Sequence, residues 1–251
     1  MKKIIPITLC VLWANLHANS TQELRAVIQS VDRTVLSSQI AGKVIGLYKN
    51  NGDYFKKGQT LIKIDCDIYQ AQRQKVQNKM KLAKVKLDKN KQLVKYNSVG
   101  QFEIQTSQIE YEGTKVEYKI ASINVDRCWI KAPFTGRVVE KKINRYQSVK
   151  PQQELIEIVN TNKLEAKLVV PAIWLRWLKE GYEFYISVDE IGSRIEAKVK
   201  QLDSVVDPKS QTINIRATVN KHPKLIAGMS GTAIFTIPEA KTDLGAKNEE
   251  K

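Results

Sequence analysis

The chain has 251 residues, 42% of them apolar and 27% charged, with a formal net charge of +15. That length holds one large domain or two to three small ones, and the apolar fraction excludes a chain without packed cores. No segment beyond the N-terminus approaches eighteen consecutive apolar residues, which excludes a helical membrane span there.

Residues 1–18 read as an export signal: Lys2 and Lys3, then the apolar run Ile4 to Trp13, then Ala14-Asn15-Leu16-His17-Ala18, with cleavage expected after Ala18. Cys10 follows Leu9 where a lipoprotein box needs a small residue, and it comes too early, so a soluble exported protein is expected. Loss of Lys2 and Lys3 leaves a net charge of about +13. Such a charge suits nucleic acid, an anionic membrane surface or an acidic partner, and export argues against nucleic acid. Residues 67–98 alone hold nine Lys or Arg against Asp67 and Asp88, so more than half of the excess lies on one element, the usual pattern of a solvated helix face.

From residue 40 the chain repeats itself at a distance of 94 residues: IAGKVIGLYKNNGDYFKKGQTLIKI (40–64) returns as FTGRVVEKKINRYQSVKPQQELIEI (134–158) without a gap. Gly42/Gly136, Val44/Val138, Lys56/Lys150, Gln59/Gln153, Leu61/Leu155, Ile62/Ile156 and Ile64/Ile158 are identical pairs. Two copies are too few for a stacked solenoid, so one small domain made of two halves is expected. Short alternations such as Lys43 to Leu47 and Thr60 to Ile64 predict small β-strands. Cys66 and Cys128 flank the segment between the halves; a disulfide and two reduced, buried thiols both fit.

From Ile68 the sequence takes up good helix formers. Val76, Met80, Ala83, Leu87, Asn90 and Val94 recur at spacings of four and three, which predicts a heptad seam. Asn97-Ser98-Val99-Gly100 breaks the pattern, and a second series follows at Phe102, Thr106, Ile109, Gly113, Val116, Ile120 and Ile123. Two series joined by a short turn predict an antiparallel coiled-coil hairpin over 67–127, roughly 40 Å long at 1.5 Å per residue. The first arm is basic and the second carries Glu103, Glu110, Glu112, Glu117 and Asp126 against Lys115, Lys119 and Arg127, so the arms attract weakly. Beyond the second half, strands are predicted over Leu164–Val170, Tyr182–Val188, Arg194–Leu202, Thr212–Val219 and Ser230–Ile237, with a short helix over Ile173–Lys179.

The two repeat motifs, the second above all through Ala132-Pro133-Phe134-Thr135-Gly136, closely resemble the split biotinyl/lipoyl domain of periplasmic adaptor subunits, the membrane fusion proteins of the HlyD family, and in particular RND-type adaptors. Val206 to Ile213 is similar to the turn-and-strand motif of the adaptor barrel, with Gln211 where the family usually has Arg. Ile226 to Ser230 is similar to its closing turn, with Ala227 replacing Pro. The resemblance implies a mainly β fold with a long α-helical hairpin: a split lipoyl-like domain (34–66 and 128–160), the hairpin (67–127), a small β-barrel (20–33 and 161–237) and a disordered polar tail (238–251).

It implies, too, a periplasmic, non-enzymatic adaptor in efflux or secretion, associated with an inner-membrane complex. Its implied partners are an RND or ABC inner-membrane transporter, a TolC-type outer-membrane channel and further copies of itself in a ring. In that family the hairpin tip meets the channel; Lys91, Leu93, Tyr96, Val99, Gly100 and Phe102 match the tip motif in part, with Glu103 at its serine position and Gln108 at its acidic one. Phe102 fits seam packing equally well. No cofactor is expected, because the turn that carries a lipoyl or biotinyl lysine is replaced by the insert and Lys56 and Lys57 are no substitute. His222 stands alone and Met80 and Met229 have no companions, so neither a hydrolase triad nor a metal site is expected. The alternative reading is an envelope scaffold or binding protein without a transport role.

Overall fold

A computed structural model describes residues 21–96 and 98–238 of the chain. The export signal read over 1–18 lies outside the described residues, as does all of the tail read over 238–251 except Pro238. Strands dominate, and the described residues divide into two compact units, residues 30–164 and a second built from 21–29 with 165–238.

The first unit contains β2 (Arg33–Ser37), β3 (Gly42–Leu47), β4 (Tyr54–Phe55) and β5 (Thr60–Ile64), then two helices, α1 (Asp67–Leu93) and α2 (Gln101–Asp126). After them come β6 (Trp129–Lys131), β7 (Gly136–Lys141), β8 (Ser148–Val149) and β9 (Glu154–Val159). Two four-stranded sheets face each other, with strand orders β2-β9-β7-β4 and β6-β5-β3-β8. The 94-residue offset relates one to the other strand by strand. Val44 opposes Ile64 as Val138 opposes Ile158, and both ladders slip at the next residue, between Val44 and Gly46 and between Val138 and Glu140. Phe55 opposes Gly136 as Val149 opposes Gly42.

Every identical pair of the repeat except Lys56/Lys150, which contributes only its backbone, has a role for the residue type. Val44, Leu61, Ile62, Ile64 and their counterparts are buried and form the centre of the core between the sheets. The side-chain carbonyl of Gln59 accepts the backbone N–H of Lys56, and that of Gln153 accepts the N–H of Lys150, so both halves close the same turn in the same way. Gly42 and Gly136 stand where another chain segment leaves no room for a side chain. Turn geometry is conserved even where glycine is not: Gly52 and Gly58 have φ of 83° and 80°, and their counterparts Tyr146 and Gln152 have 70° and 66°.

Helices α1 and α2 run antiparallel. Lys79 bonds Glu117 at 3.0 Å, Lys86 bonds Glu110 at 2.8 Å, and Asn90 Nδ2 donates to Ser107 Oγ at 3.4 Å, so register is kept along both. On α1 the face turned from solvent runs through Val76, Met80, Ala83, Leu87 and Asn90, the series read from the sequence. On α2 it does not. The covered series is Ile104, Ser107, Tyr111, Thr114, Tyr118, Ala121 and Val125, whereas Phe102, Ile109, Val116, Ile120 and Ile123 face outward. The reason is size. Ser107, Thr114 and Ala121 let the helices approach closely, and the two hydroxyls are satisfied within α2 by the carbonyls of Glu103 and Tyr111, which removes most of the cost of burying them.

The second unit is a closed barrel of six strands in the order β1-β10-β13-β12-β11-β14. These are β1 (Thr21–Ser30), β10 (Leu164–Pro171), β11 (Glu183–Val188), β12 (Ser193–Leu202), β13 (Thr212–Val219) and β14 (Ser230–Thr236). Alternate residues point inward, as in Phe184, Ile186 and Val188 of β11 and Ile213, Ile215 and Ala217 of β13. The short helix expected over Ile173–Lys179 is a 3-10 turn over Ala172–Arg176. It tucks Trp174 against Phe235, ring centroids 5.1 Å apart, and so plugs one end of the barrel.

Candidate functional site

Helix α1 ends at Leu93 and passes through a 3-10 turn, Val94–Tyr96, and Gly100 opens α2 in extended conformation. The chain reverses here because good helix formers give way to Ser98-Val99-Gly100, where the amide of Ser98 donates back to the carbonyl of Leu93 at 3.1 Å. This single reversal gathers the six residues singled out in the sequence. Lys91 lies in the last turn of α1, where its charge favours the helix C-terminus. Tyr96 and Phe102 present exposed rings, 78% and 75% accessible, and Val99 is half-buried between them in sequence. Glu103, in the first turn of α2, folds its carboxylate back over Gly100, and its charge suits that helix N-terminus. The reversal therefore presents two exposed aromatic rings, a basic side chain and an acidic one. Phe102 packs in no seam.

At the other end of the helices, the sulfurs of Cys66 and Cys128 lie at bonding distance, with Cα atoms 5.8 Å apart. Both residues are buried in the core of the sandwich, and Tyr69 Oη donates to the carbonyl of Ala41 at 2.9 Å. Beside these roots an open recess of about 370 Å³ is lined by Leu36, Ile123, Trp129 and Ile130, with Asp126, Arg127 and Lys131 at its rim.

The other residues weighed in the sequence stay apart. His222 Nδ1 accepts the backbone N–H of Lys224 at 3.3 Å, and Met229 Sδ accepts that of Ile226 at 3.5 Å, so each serves its own loop. Lys56 and Lys57 sit in the exposed turn closed by Gln59. Among the described residues no three His, Cys, Asp or Glu converge as metal ligands, and no helix is long and apolar enough to cross a membrane. On α1 the Lys84 ammonium is held above its ordinary pKa by its bond to Asp88. The sequence reading missed the inward series of α2; Tyr111, Thr114, Tyr118, Ala121 and Val125 share heptad spacing with the outward one, and that doubling was the available signal.

The family profile described as RND MFP, barrel-sandwich hybrid domain, matches residues 33–161, just over half of the chain. The chain belongs to this membrane-fusion-protein family. Within and beyond that domain it is similar to an uncharacterized protein of Haemophilus influenzae, 23% identical over 207 residues that cover 81% of this chain and 54% of the relative. It is similar also to multidrug resistance protein MdtA of Escherichia coli, 27% identical over 216 residues that cover 77% of this chain and 52% of MdtA. The chain thus spans about half the length of the curated relatives it matches. Among solved structures, a MacA-MexA chimeric protein containing the Pseudomonas aeruginosa MexA alpha-hairpin domain aligns with a TM-score of 0.75 at 21% identity, covering 88% of this chain and 82% of that one. At that identity the likeness is one of fold.

Proposed function

We propose that this protein is a non-catalytic periplasmic adaptor, exported by residues 1–18, that links an inner-membrane transporter of RND or ABC type to a TolC-type outer-membrane channel. The observation that carries this reading is a barrel-sandwich domain of the membrane-fusion family interrupted between its halves by two paired helices and continued into a six-stranded barrel. A relative named for multidrug resistance, MdtA, and a structural neighbour that contains an alpha-hairpin domain support it. In this reading 34–66 and 128–160 are the lipoyl-like body, 67–127 a coiled-coil hairpin, and 20–33 with 161–237 the barrel.

Several copies form a ring, and Lys91, Leu93, Tyr96, Val99, Gly100 and Phe102 at the helix reversal meet the channel. Multivalent docking lets each contact be weak, because the first engagement raises the effective concentration of the rest. The Cys66 to Cys128 bond, formed in the oxidising periplasm, ties the two helix roots together.

Affinity capture of the mature protein from cells that express it tests the reading. Co-purification of a transporter and an outer-membrane channel is the expected result, and capture of the protein with neither overturns it. Phe102→Ala with Lys91→Glu is expected to lose the channel and keep the transporter. Mass spectrometry of the exported protein without reductant is expected to show peptides joined through Cys66 and Cys128; two freely alkylated thiols would remove that bond from the reading.

A further inference from the structure

The sandwich is open along one side. β2 and β6 each end their sheet, β2 bonded only to β9 and β6 only to β5, and among the described residues no backbone hydrogen bond joins one to the other. They are the same edge twice over. The 94-residue offset carries Leu36 onto Ile130, and Leu36 opposes Ile156 as Ile130 opposes Ile62. Each strand therefore presents a row of backbone N–H and C=O groups that no other strand pairs.

Between these two edges lies the recess beside the helix roots. All three residues of β6 line it, with Leu36 and Ser37 from the end of β2 and Ile123 from the outward face of α2. Leu36, Trp129 and Ile130 are partly buried and pack on the sandwich core, so the floor of the recess is that core continued to the surface. The rim is charged. Arg127 and Lys131 form no ion pair among the described residues, and Asp126 offsets only one of them, which leaves the rim net positive.

These features define an occupant. Backbone groups along a strand edge are satisfied in series by another extended backbone. An apolar floor takes the side chains that such a backbone turns inward at every second position, and a net positive rim favours an acidic residue among them. Of the two edges, β6 is the one that the recess exposes along its whole length.

We infer that β6 is a docking edge for an extended segment of another protein, apolar at alternate positions and carrying an acidic residue. The segment adds as a fifth strand to the sheet β6-β5-β3-β8, sets an apolar side chain in the recess over Leu36, Ile123 and Ile130, and brings its carboxylate to Arg127 and Lys131. The contact lies within residues 30–164 and needs neither the ring nor the channel proposed above.

Phage-displayed random decapeptides, panned on full-length mature protein, supply the probe. The selected peptides are expected to share apolar residues at alternate positions with an acidic residue among them. A synthetic peptide of selected sequence is expected to slow amide hydrogen exchange at Trp129, Ile130 and Lys131 at least tenfold. N-methylation of one alternate set of its amides is expected to raise its Kd at least tenfold and of the other set to leave it within threefold, because an added strand bonds β6 through only one of the two. Arg127→Glu with Lys131→Glu, both at exposed positions, is expected to weaken that peptide at least tenfold with the melting temperature unchanged, and to turn the selection toward basic peptides. Failure to enrich any peptide overturns the docking edge, as does enrichment of peptides that leave exchange at β6 unaltered or that bind equally after methylation of either set. Slow exchange at β6 in the protein alone, quickened by dilution or by removal of residues 239–251, gives the edge to a second copy or to this chain's own tail and overturns the assignment to another protein.

Discussion

Gly136 presses its α-carbon against the backbone carbonyl of Val159, so closely that a methyl group there would overlap the oxygen. Its counterpart Gly42 meets the Cγ2 methyl of buried Ile64, a side-chain atom at a longer distance and not a backbone carbonyl. Gly136→Ala is therefore expected to cost more than Gly42→Ala, at or above the upper end of the roughly 1–3 kcal/mol typical of overpacked sites. Urea denaturation of both variants checks the order; equal midpoints would refute the argument.

The turns of the repeat give a second test. Gly58 and Gln152 hold the same left-handed conformation at equivalent positions, and only glycine does so without strain. Gly58→Ala is expected to destabilise by about 1–2 kcal/mol. Gln152→Gly is expected to leave stability within about 1 kcal/mol, because relief of strain offsets the entropy glycine loses on folding. Thermal melts of the two variants read the contrast.

Between the helices, packing outweighs charge. Lys79 and Glu117 are about half exposed, and a double-mutant cycle on them is expected to give about 0.2–1 kcal/mol, shrinking with added salt. Leu87 is 1% exposed in the series covered by α2, and Leu87→Ala is expected to cost about 2–5 kcal/mol. Helicity followed by circular dichroism against denaturant measures both.

In the barrel, the Asp207 carboxylate accepts the backbone N–H groups of Ser210 and Lys209, each at 2.9 Å, and these bonds hold its pKa below the ordinary aspartate value. A depressed folded pKa contributes stability that is present above the unfolded value and is lost as pH falls through the folded one. Asp207→Ala is thus expected to lower the melting temperature at pH 7, with the difference closing only under acid conditions below the usual aspartate range. NMR titration of the Asp207 carboxyl carbon reads the pKa itself, and a value at or above that of a free aspartate would contradict the assignment.

Much of this architecture is legible in the chain because the repeat carries its own register. The offset of 94 residues that aligns Val44 with Val138 in sequence also aligns their ladders, bulges and turns in space. Tyr146 and Gln152 hide their left-handed turns, since neither residue type announces one. The α1 series was readable because lysines fill the rest of that helix. On α2 two apolar series compete at the same period, and the larger side chains, Phe102 and Ile109, pointed to the wrong face. The reversal between α1 and α2 was legible from the break in spacing, and the structure leaves Tyr96 and Phe102 exposed beside it.

Strands of the two halves are exchanged: β4 closes on β7, β8 on β3, and β2 on β9. In chain order α1 and α2 therefore come before β6, β7, β8 and β9, the strands that complete both sheets. Two helices can zip together from their local turn while β3 and β5 wait, and in doing so they carry Trp129 and Ile130 to the edge of β5, where they pair with Lys63 and Ile62. The inserted helices thus return the chain to the sheet it left, setting β6 beside β5 across an insert whose own contacts are local in sequence.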